Sequence, residues 1–243
     1  MIEIAEALPP DPNALWTLCQ QAGVKYAVGG LPSARQRGAE NPWDFRPLLQ
    51  MKGDYEAGGF TLAVIEARPP LEKAKRGLPG RDEEIEAVCA LLENMGRAGI
   101  PVWCYEWMAG INWVRTSTTT VSRGGSLVTS YDHALSEQQP APEGGPISEE
   151  ALWENLEYFL RRTLPVAEKA GVKMSMHPDD PPISPLRGVG RIMRSLENYQ
   201  RLLELVPSPM NTITMCQGNF TLMTPDLPAA IRHFGRQDKI SFV

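Results

Sequence analysis

One histidine in the chain, His177, stands where it could hold a metal ion. It follows the short apolar run 172–176 within KMSMHPDDPPISPLRGVGR, residues 173–191. Prolines restrict the backbone after His177, so its ring would keep one direction, and Asp179 and Asp180 could hydrogen-bond or carry charge around a metal site. A proline-rich turn that only reverses the chain is the alternative. The stretch therefore predicts either part of a metal site or such a turn.

A cysteine supplies the second candidate ligand. Cys216 ends the apolar pattern 211–216 and stands before Gln217 in TMCQGNF. A thiolate beside a neutral imidazole is a site for Mn²⁺, Fe²⁺ or Zn²⁺. A buried, unreactive cysteine is the ordinary alternative. The metal interpretation of Cys216 therefore depends on a fold that brings it next to His177.

The segment CYEWMAGINWVRT, residues 104–116, offers side chains that could contact a ligand. Arginine can clamp a carboxylate through two parallel hydrogen bonds, and tryptophan can pack on the carbon skeleton of a sugar acid. An aromatic loop that packs on the rim of the fold explains each of these residues equally well. The candidates are Tyr105, Glu106, Asn112, Trp113 and Arg115.

The remaining polar and sulfur-containing residues carry weaker signals. No C-x-x-C pair occurs among the four cysteines, which argues against a disulfide scaffold and a structural zinc site. Arg68 and Lys75 are expected to be solvated. We expect core packing for Cys19, Cys89 and Cys104, and exposed side chains for His133 and His233.

Composition and charge exclude several classes of protein. The 243 residues are 42% hydrophobic and 22% charged, as in ordinary globular proteins. A net charge of -5 gives no electrostatic reason to expect a nucleic-acid partner. The N-terminal residues lack a signal-peptide pattern, and no stretch approaches the roughly 20 apolar residues of a membrane span. A cytoplasmic protein is expected.

Strand patterns alternate with helix patterns along the chain, which is typical of a parallel sheet built from βα units. The predicted strands are residues 2–7, 24–28, 60–67, 101–107, 172–176, 211–216 and 239–243. The predicted helices are residues 12–21, 42–51, 81–98, 149–170, 195–205 and 225–234. Residues 109–146 are a long connection, which in compact domains is commonly a lid or binding segment.

This order predicts an α/β fold of the (β/α)₈ TIM-barrel type, as a single domain over residues 1–243. In a barrel, His177 and Cys216 would lie at the C-terminal ends of the strands, where active sites form. The pattern supplies seven strands and six helices, so a closing unit of roughly 50 residues is expected to be missing. A doubly wound sheet is the competing fold, but ALPPDPN stands where its G-x-G-x-x-G would follow the first strand.

Several motifs together resemble the D-mannonate dehydratase family. They are HPDDPP with the downstream LRGVGRI, GLPGRDEEIEA, VWCYEWMAGINWVRT with the later GGSLVTSYD, and the cysteine in TMCQGNF. The resemblance implies a barrel like that of xylose isomerase and a hydro-lyase of hexuronate catabolism. It implies conversion of D-mannonate to 2-keto-3-deoxy-D-gluconate and water with Mn²⁺ or Fe²⁺, and it makes His177 and Cys216 metal ligands.

The chain also departs from that family. Histidines that family members carry after the second and third strands are replaced by residues 30–32 and 69–71. The family's remaining ligands, a histidine and an aspartate, and its acid and base residues are expected beyond Val243, so the chain as written is expected to be inactive. Unpaired edge strands would favour a homo-oligomer or aggregation. A sugar isomerase or epimerase on the same barrel, and a non-catalytic remnant, are the alternatives.

Overall fold

The computed structural model describes residues 2–243 and is built around a curled parallel sheet. The strands are β1 (Ala5–Ala7), β2 (Tyr26–Gly29), β3 (Thr61–Glu66), β4 (Val102–Tyr105), β5 (Ser117–Val121), β6 (Leu127–Ser130), β7 (Lys173–Met176), β8 (Asn211–Thr214) and β9 (Ile240–Phe242). Within residues 2–243, seven of them form one sheet in the order β1-β2-β3-β4-β7-β8-β9. Each neighbouring pair in this sheet is parallel.

Helices connect the parallel strands. They are α1 (Ala14–Gln21), α2 (Ala34–Arg37), α3 (Phe45–Ala57), α4 (Glu72–Arg76), α5 (Arg81–Ala98), α6 (His133–Glu137), α7 (Glu149–Ala170), α8 (Leu196–Leu205), α9 (Gln217–Met223) and α10 (Leu227–Gly235). No helix among residues 2–243 is both long enough and apolar enough to span a bilayer.

The strand order confirms the TIM-barrel type of fold. Neighbours in the sheet follow one another along the chain, apart from the separate β5–β6 pair, whereas a doubly wound sheet reverses its order at a switch point. The sheet also curls. Ala5 of β1 and Phe242 of β9, the two edge strands, pack against one inner cluster that includes Val64 and Val102. The result is a partial barrel.

Two long helices show how the sequence sets the packing. In α5, inward side chains recur every three or four residues, and Ile85, Val88, Leu92 and Met95 are all buried. Fully burying one such side chain stabilises the fold by about 1.5–3 kcal/mol. Helix α7 begins where the Ser148 hydroxyl accepts a hydrogen bond from the Ala151 amide at 3.2 Å. Both helices have the bounds that the sequence predicts.

The start of the first helix differs from the prediction. The helix predicted at 12–21 begins at Ala14, because the Asn13 side-chain oxygen caps it by accepting from the Leu15 amide at 2.8 Å. The Asp11 carboxylate, before the helix, pairs with Arg35, 2.7 Å from its Nε. The helix predicted at 42–51 is displaced to Phe45–Ala57. The short helices α2, α4, α6 and α9 are absent from the prediction.

The long connection 109–146 is more ordered than its sequence suggests. It contains the antiparallel pair β5–β6, in which Val121 lies opposite Leu127, and the short helix α6. Repeated threonines in TSTTT suit a strand because β-branched side chains fit a pleated backbone. The lid or binding role of this connection stays a prediction.

Candidate metal centre and adjoining pocket

His177 lies directly after β7, with its ring held in one orientation. Its amide donates to the Tyr105 carbonyl at 2.7 Å, which extends the pairing of β7 with β4 by one residue. Its Nδ1 lies 2.8 Å from the Pro178 carbonyl oxygen. Because a carbonyl only accepts, Nδ1 carries the proton and Nε2 of the neutral ring has a free lone pair. That lone pair is what a metal ion requires of a histidine.

Cys216 lies beside that ring, at the junction of β8 and α9. Interaction with the His177 side chain is the largest effect on the Cys216 thiol and, with the amides of Asn219 and Gly218, lowers its pKa. Burial alone would lower the pKa of His177, but the Cys216 side chain and the Pro178 carbonyl raise it. The fold therefore joins the two candidate ligands, which are 39 residues apart in the sequence.

These two side chains fit a divalent transition metal as part of its ligand set. A thiol with a lowered pKa forms the thiolate more readily, and imidazole with thiolate is a donor pair for Fe²⁺ and Zn²⁺ and, with additional oxygen ligands, for Mn²⁺. Within residues 2–243, no group of three or more histidine, cysteine, aspartate or glutamate side chains converges on one point. His177 and Cys216 would thus supply two of the ligands.

The two aspartates after His177 tie together the loops around it. Asp179 is buried, and its carboxylate accepts from the Met193 amide at 2.7 Å and faces Arg191 at 3.5 Å. Burial raises the pKa of Asp179 to about 6, although Arg191 opposes this shift. Asp180 forms two parallel hydrogen bonds with Arg115, at 2.8 and 2.7 Å. A direct effect of either aspartate on a bound metal stays a prediction.

A pocket of about 270 Å³ opens beside His177. Its lining residues are Glu66, Ala67, Arg68, Cys104, Tyr105, Glu106, Asn112, Trp113 and His177. The Trp113 ring lies 5.6 Å from the His177 ring, centroid to centroid. Three predicted ligand contacts, Tyr105, Asn112 and Trp113, thus share the pocket with a candidate metal ligand. Their contact with a substrate stays a prediction.

Arg115 lies outside this pocket. Both terminal nitrogens of its guanidinium bind Asp180, and one also donates to the Val114 carbonyl at 2.8 Å. Its side chain lines a different cavity, next to Leu135 and Arg187. The structure thus gives Arg115 a partner within the chain, and its predicted contact with substrate rests on the sequence alone.

The prediction of a solvated Lys75 is wrong. Its side chain is fully buried and its ammonium lies 2.7 and 2.9 Å from the two carboxylate oxygens of Glu106. Burial lowers the pKa of Lys75 to about 8 despite the attraction of Glu106. For Glu106, burial favours the neutral acid, but Lys75 and Arg68 outweigh it and lower the pKa. The signal in the sequence was Glu106 itself, a lone acid within apolar PVWCYEW, because a buried carboxylate requires a cation.

The burial of the remaining cysteines and histidines can be compared with the prediction. Cys19 and Cys104 are buried, and Cys89 is partly buried. Cys104 also accepts a hydrogen bond from the Thr214 hydroxyl at 3.2 Å. His133 and His233 are exposed, as predicted. Apart from His177, the histidines therefore lie outside the pocket.

Comparisons with known proteins agree on one family. The family model described as D-mannonate dehydratase (UxuA) matches residues 9–143 and 145–243. A mannonate dehydratase of Thermotoga neapolitana is 35% identical over 264 aligned positions, which cover 96% of this chain and 72% of the relative. Mannonate dehydratase 2 of Halalkalibacterium halodurans is 34% identical, with 96% of this chain and 74% of the relative covered.

Solved structures give the same result. The crystal structure of mannonate dehydratase from Streptococcus suis serotype 2 superposes with a TM-score of 0.81 at 33% identity, over 99% of this chain and 70% of that chain. A 3-keto-D-glucoside 4-epimerase from E. coli superposes with a TM-score of 0.60 at 12% identity, over 100% of this chain and 78% of that chain. The second likeness shows the fold alone.

Proposed function

This chain belongs to the D-mannonate dehydratase family, and from that premise we propose that it removes water from D-mannonate to give 2-keto-3-deoxy-D-gluconate. Such a hydro-lyase would serve hexuronate catabolism. The observation that carries the proposal is the contact between His177 and Cys216 at the ends of β7 and β8, beside a pocket of about 270 Å³. The family membership and this contact together support the proposal.

We propose Mn²⁺ or Fe²⁺ as the metal, held by His177 Nε2 and Cys216 Sγ. When bound, such an ion polarises the carboxylate and an adjacent hydroxyl of the sugar acid and makes the α-proton more acidic. The thiolate favours the softer Fe²⁺ over Mn²⁺ in affinity. Which ion serves in the cell then depends on metal supply as well as on these two side chains.

The chain's own residues prepare the site for a polyhydroxy acid. The proton on His177 Nδ1 is held by the Pro178 carbonyl, so Nε2 stays available. Trp113 offers an apolar surface against which a carbon skeleton can pack, since its ring forms one wall of the pocket. The Asn112 amide can both donate to and accept from sugar hydroxyls.

An assay with purified protein tests this function. The chain is dialysed against a chelator, supplied with Mn²⁺ or Fe²⁺ and incubated with D-mannonate. Under this proposal we expect metal-dependent formation of 2-keto-3-deoxy-D-gluconate, identified by mass spectrometry as an acid that has lost one water, and this result would overturn the inactivity expected from the sequence alone. Conversion to an isomer of unchanged mass would instead support an isomerase or epimerase. No product with either metal would refute the proposal.

A further inference from the structure

A largely buried cluster of three charges, Arg68, Lys75 and Glu106, adjoins the pocket beside His177, and Arg68 and Glu106 line it. Glu106, just after β4, is at the centre of the cluster. Its Oε1 accepts from Lys75 Nζ at 2.7 Å and from Arg68 Nε at 2.5 Å. Its Oε2 accepts from Lys75 Nζ at 2.9 Å and from the Met108 amide at 2.5 Å. Glu106 is therefore fully occupied by groups of its own chain.

Lys75 balances Glu106 but is out of reach of a ligand. Its side chain has no exposed surface, and its ammonium also donates to the Met108 carbonyl at 3.0 Å. With two contacts to Glu106 and one to Met108, its three donors are used. One carboxylate thus faces two cations, and the positive charge of Arg68 is left without a carboxylate of its own.

Arg68 is the cation of the cluster that reaches the pocket. Its Nε binds Glu106, yet 23% of its side chain is exposed. Its Nη1 has only a contact of 3.4 Å to the Pro69 carbonyl, and its Nη2 has no hydrogen-bond partner among residues 2–243. Arg68 lines the pocket together with Trp113 and His177. An arginine with both terminal nitrogens available matches the two oxygens of a carboxylate.

The other charges around the pocket also favour Arg68 as the group that would bind a carboxylate. Among its lining residues, Arg68 is the one lysine or arginine. Arg115, the alternative carboxylate clamp, is paired with Asp180 and lines another cavity. Glu66 also lines the pocket and repels anions, so a ligand carboxylate would be drawn to the Arg68 side and sugar hydroxyls to Glu66.

We propose that Arg68 binds the carboxylate of the sugar acid and makes the pocket select acids over neutral polyols, while Glu106 and Lys75 act as positioning residues that aim its guanidinium. This inference deepens the proposed function and rests on it. The proposed metal ligands His177 and Cys216 follow β7 and β8, whereas Arg68 follows β3. The substrate would therefore be bound from two sides of the pocket.

The test compares ligand binding by the Mn²⁺-loaded protein and by variants. Isothermal titration calorimetry is performed with D-mannonate and with D-mannitol, its neutral counterpart in which the carboxylate is an alcohol. Arg68→Gln is expected to weaken D-mannonate binding roughly 10- to 100-fold, as for a lost hydrogen bond to a charged group. Binding of D-mannitol and of Mn²⁺ should be unchanged. Arg68→Lys should restore part of the affinity because it keeps the charge.

Arg161→Gln is the matched control. Arg161 lies on α7, is 63% exposed and pairs with Glu157, so its loss changes net charge equally without touching the pocket. Thermal unfolding checks that each variant is folded, and Lys75 still balances Glu106 when Arg68 is replaced. In turnover, Arg68→Gln should raise KM much more than it lowers kcat.

The outcomes separate this inference from the proposed function. Equal D-mannonate affinity in the native protein and Arg68→Gln would overturn the role of Arg68 and leave the dehydratase proposal standing. Binding of D-mannonate that depends on Arg68 but leads to no dehydration would support the role of Arg68 and overturn the dehydratase proposal. A native protein that binds D-mannitol as tightly as D-mannonate would also overturn the inference.

Discussion

The side chains of Cys216 and His177 shift each other's pKa. The interaction between them lowers the pKa of the thiol and raises that of the imidazole, while the Pro178 carbonyl fixes the ring proton on Nδ1. A metal ion in contact with both would favour the thiolate further and replace the thiol proton. Each side chain would therefore supply one donor atom to the metal, and each also shifts the pKa of the other.

Removal of either ligand should weaken metal binding. We expect His177→Ala and Cys216→Ser each to lower the affinity for Mn²⁺ and Fe²⁺ at least about tenfold, the lower end of the loss caused by removing residues that only support a metal ligand. Metal content after dialysis against a graded chelator measures the change. Cys89→Ser is the control, since this partly buried cysteine lies on α5. Native metal content in both ligand variants would exclude the site.

At the scale of single residues, the sequence was informative where a strand end and an uncommon residue type coincide. It singled out His177 and Cys216, whose side chains the fold brings together, while their role as metal ligands stays a prediction. Lys75 was not singled out, because its burial depends on Glu106, 31 residues further along the chain, and no local pattern links them. For Arg115, no local pattern revealed a partner within the chain. Its guanidinium binds Asp180, which lies 65 residues further along the chain.

At the scale of elements, helices α5 and α7 approach closely at Gly96. A Cβ atom at this position would lie 2.5 Å from the Ala170 carbonyl oxygen and 2.9 Å from the Ala170 Cβ. Neither of these atoms is the end of a flexible side chain, so the helices would have to move apart. Glycine is therefore required by the packing here, although it weakens an isolated helix.

Two glycine substitutions separate packing from helix propensity. Gly96→Ala should destabilise the protein by about 1–3 kcal/mol, as overpacking does. Gly53→Ala in the exposed face of α3 should stabilise it by roughly 0.5–1 kcal/mol, since no atom lies within 4 Å of the added Cβ. Urea denaturation measures both free energies of unfolding. Similar stabilisation by the two substitutions would contradict the close approach of α5 and α7.

Element length explains which helices could be predicted. Helices α5 and α7 span 18 and 22 residues, so the apolar period and both end signals are repeated enough to fix their bounds. The missed helices α2, α4, α6 and α9 have 4, 5, 5 and 7 residues. Such lengths hold one or two turns and show no reliable period. The β5–β6 pair was hidden by polar residues on both faces.

At the scale of the whole molecule, the order of the sheet assembles the site. Strands β3, β4, β7 and β8 are consecutive neighbours, and their carboxyl ends lead to Arg68, Glu106, His177 and Cys216 respectively. In a parallel barrel these ends share one face. The alternation of strands and helices was sufficient to predict that face, whereas the distances across it required the folded chain.

The most direct test of the account is the position of the metal in a crystal of the chain. Crystals soaked in Mn²⁺ would be measured for anomalous scattering. We predict one peak within about 2.5 Å of both His177 Nε2 and Cys216 Sγ, in line with usual bond lengths between metals and these donors. A peak bound elsewhere, or full Mn²⁺ occupancy without contact to either atom, would contradict the account.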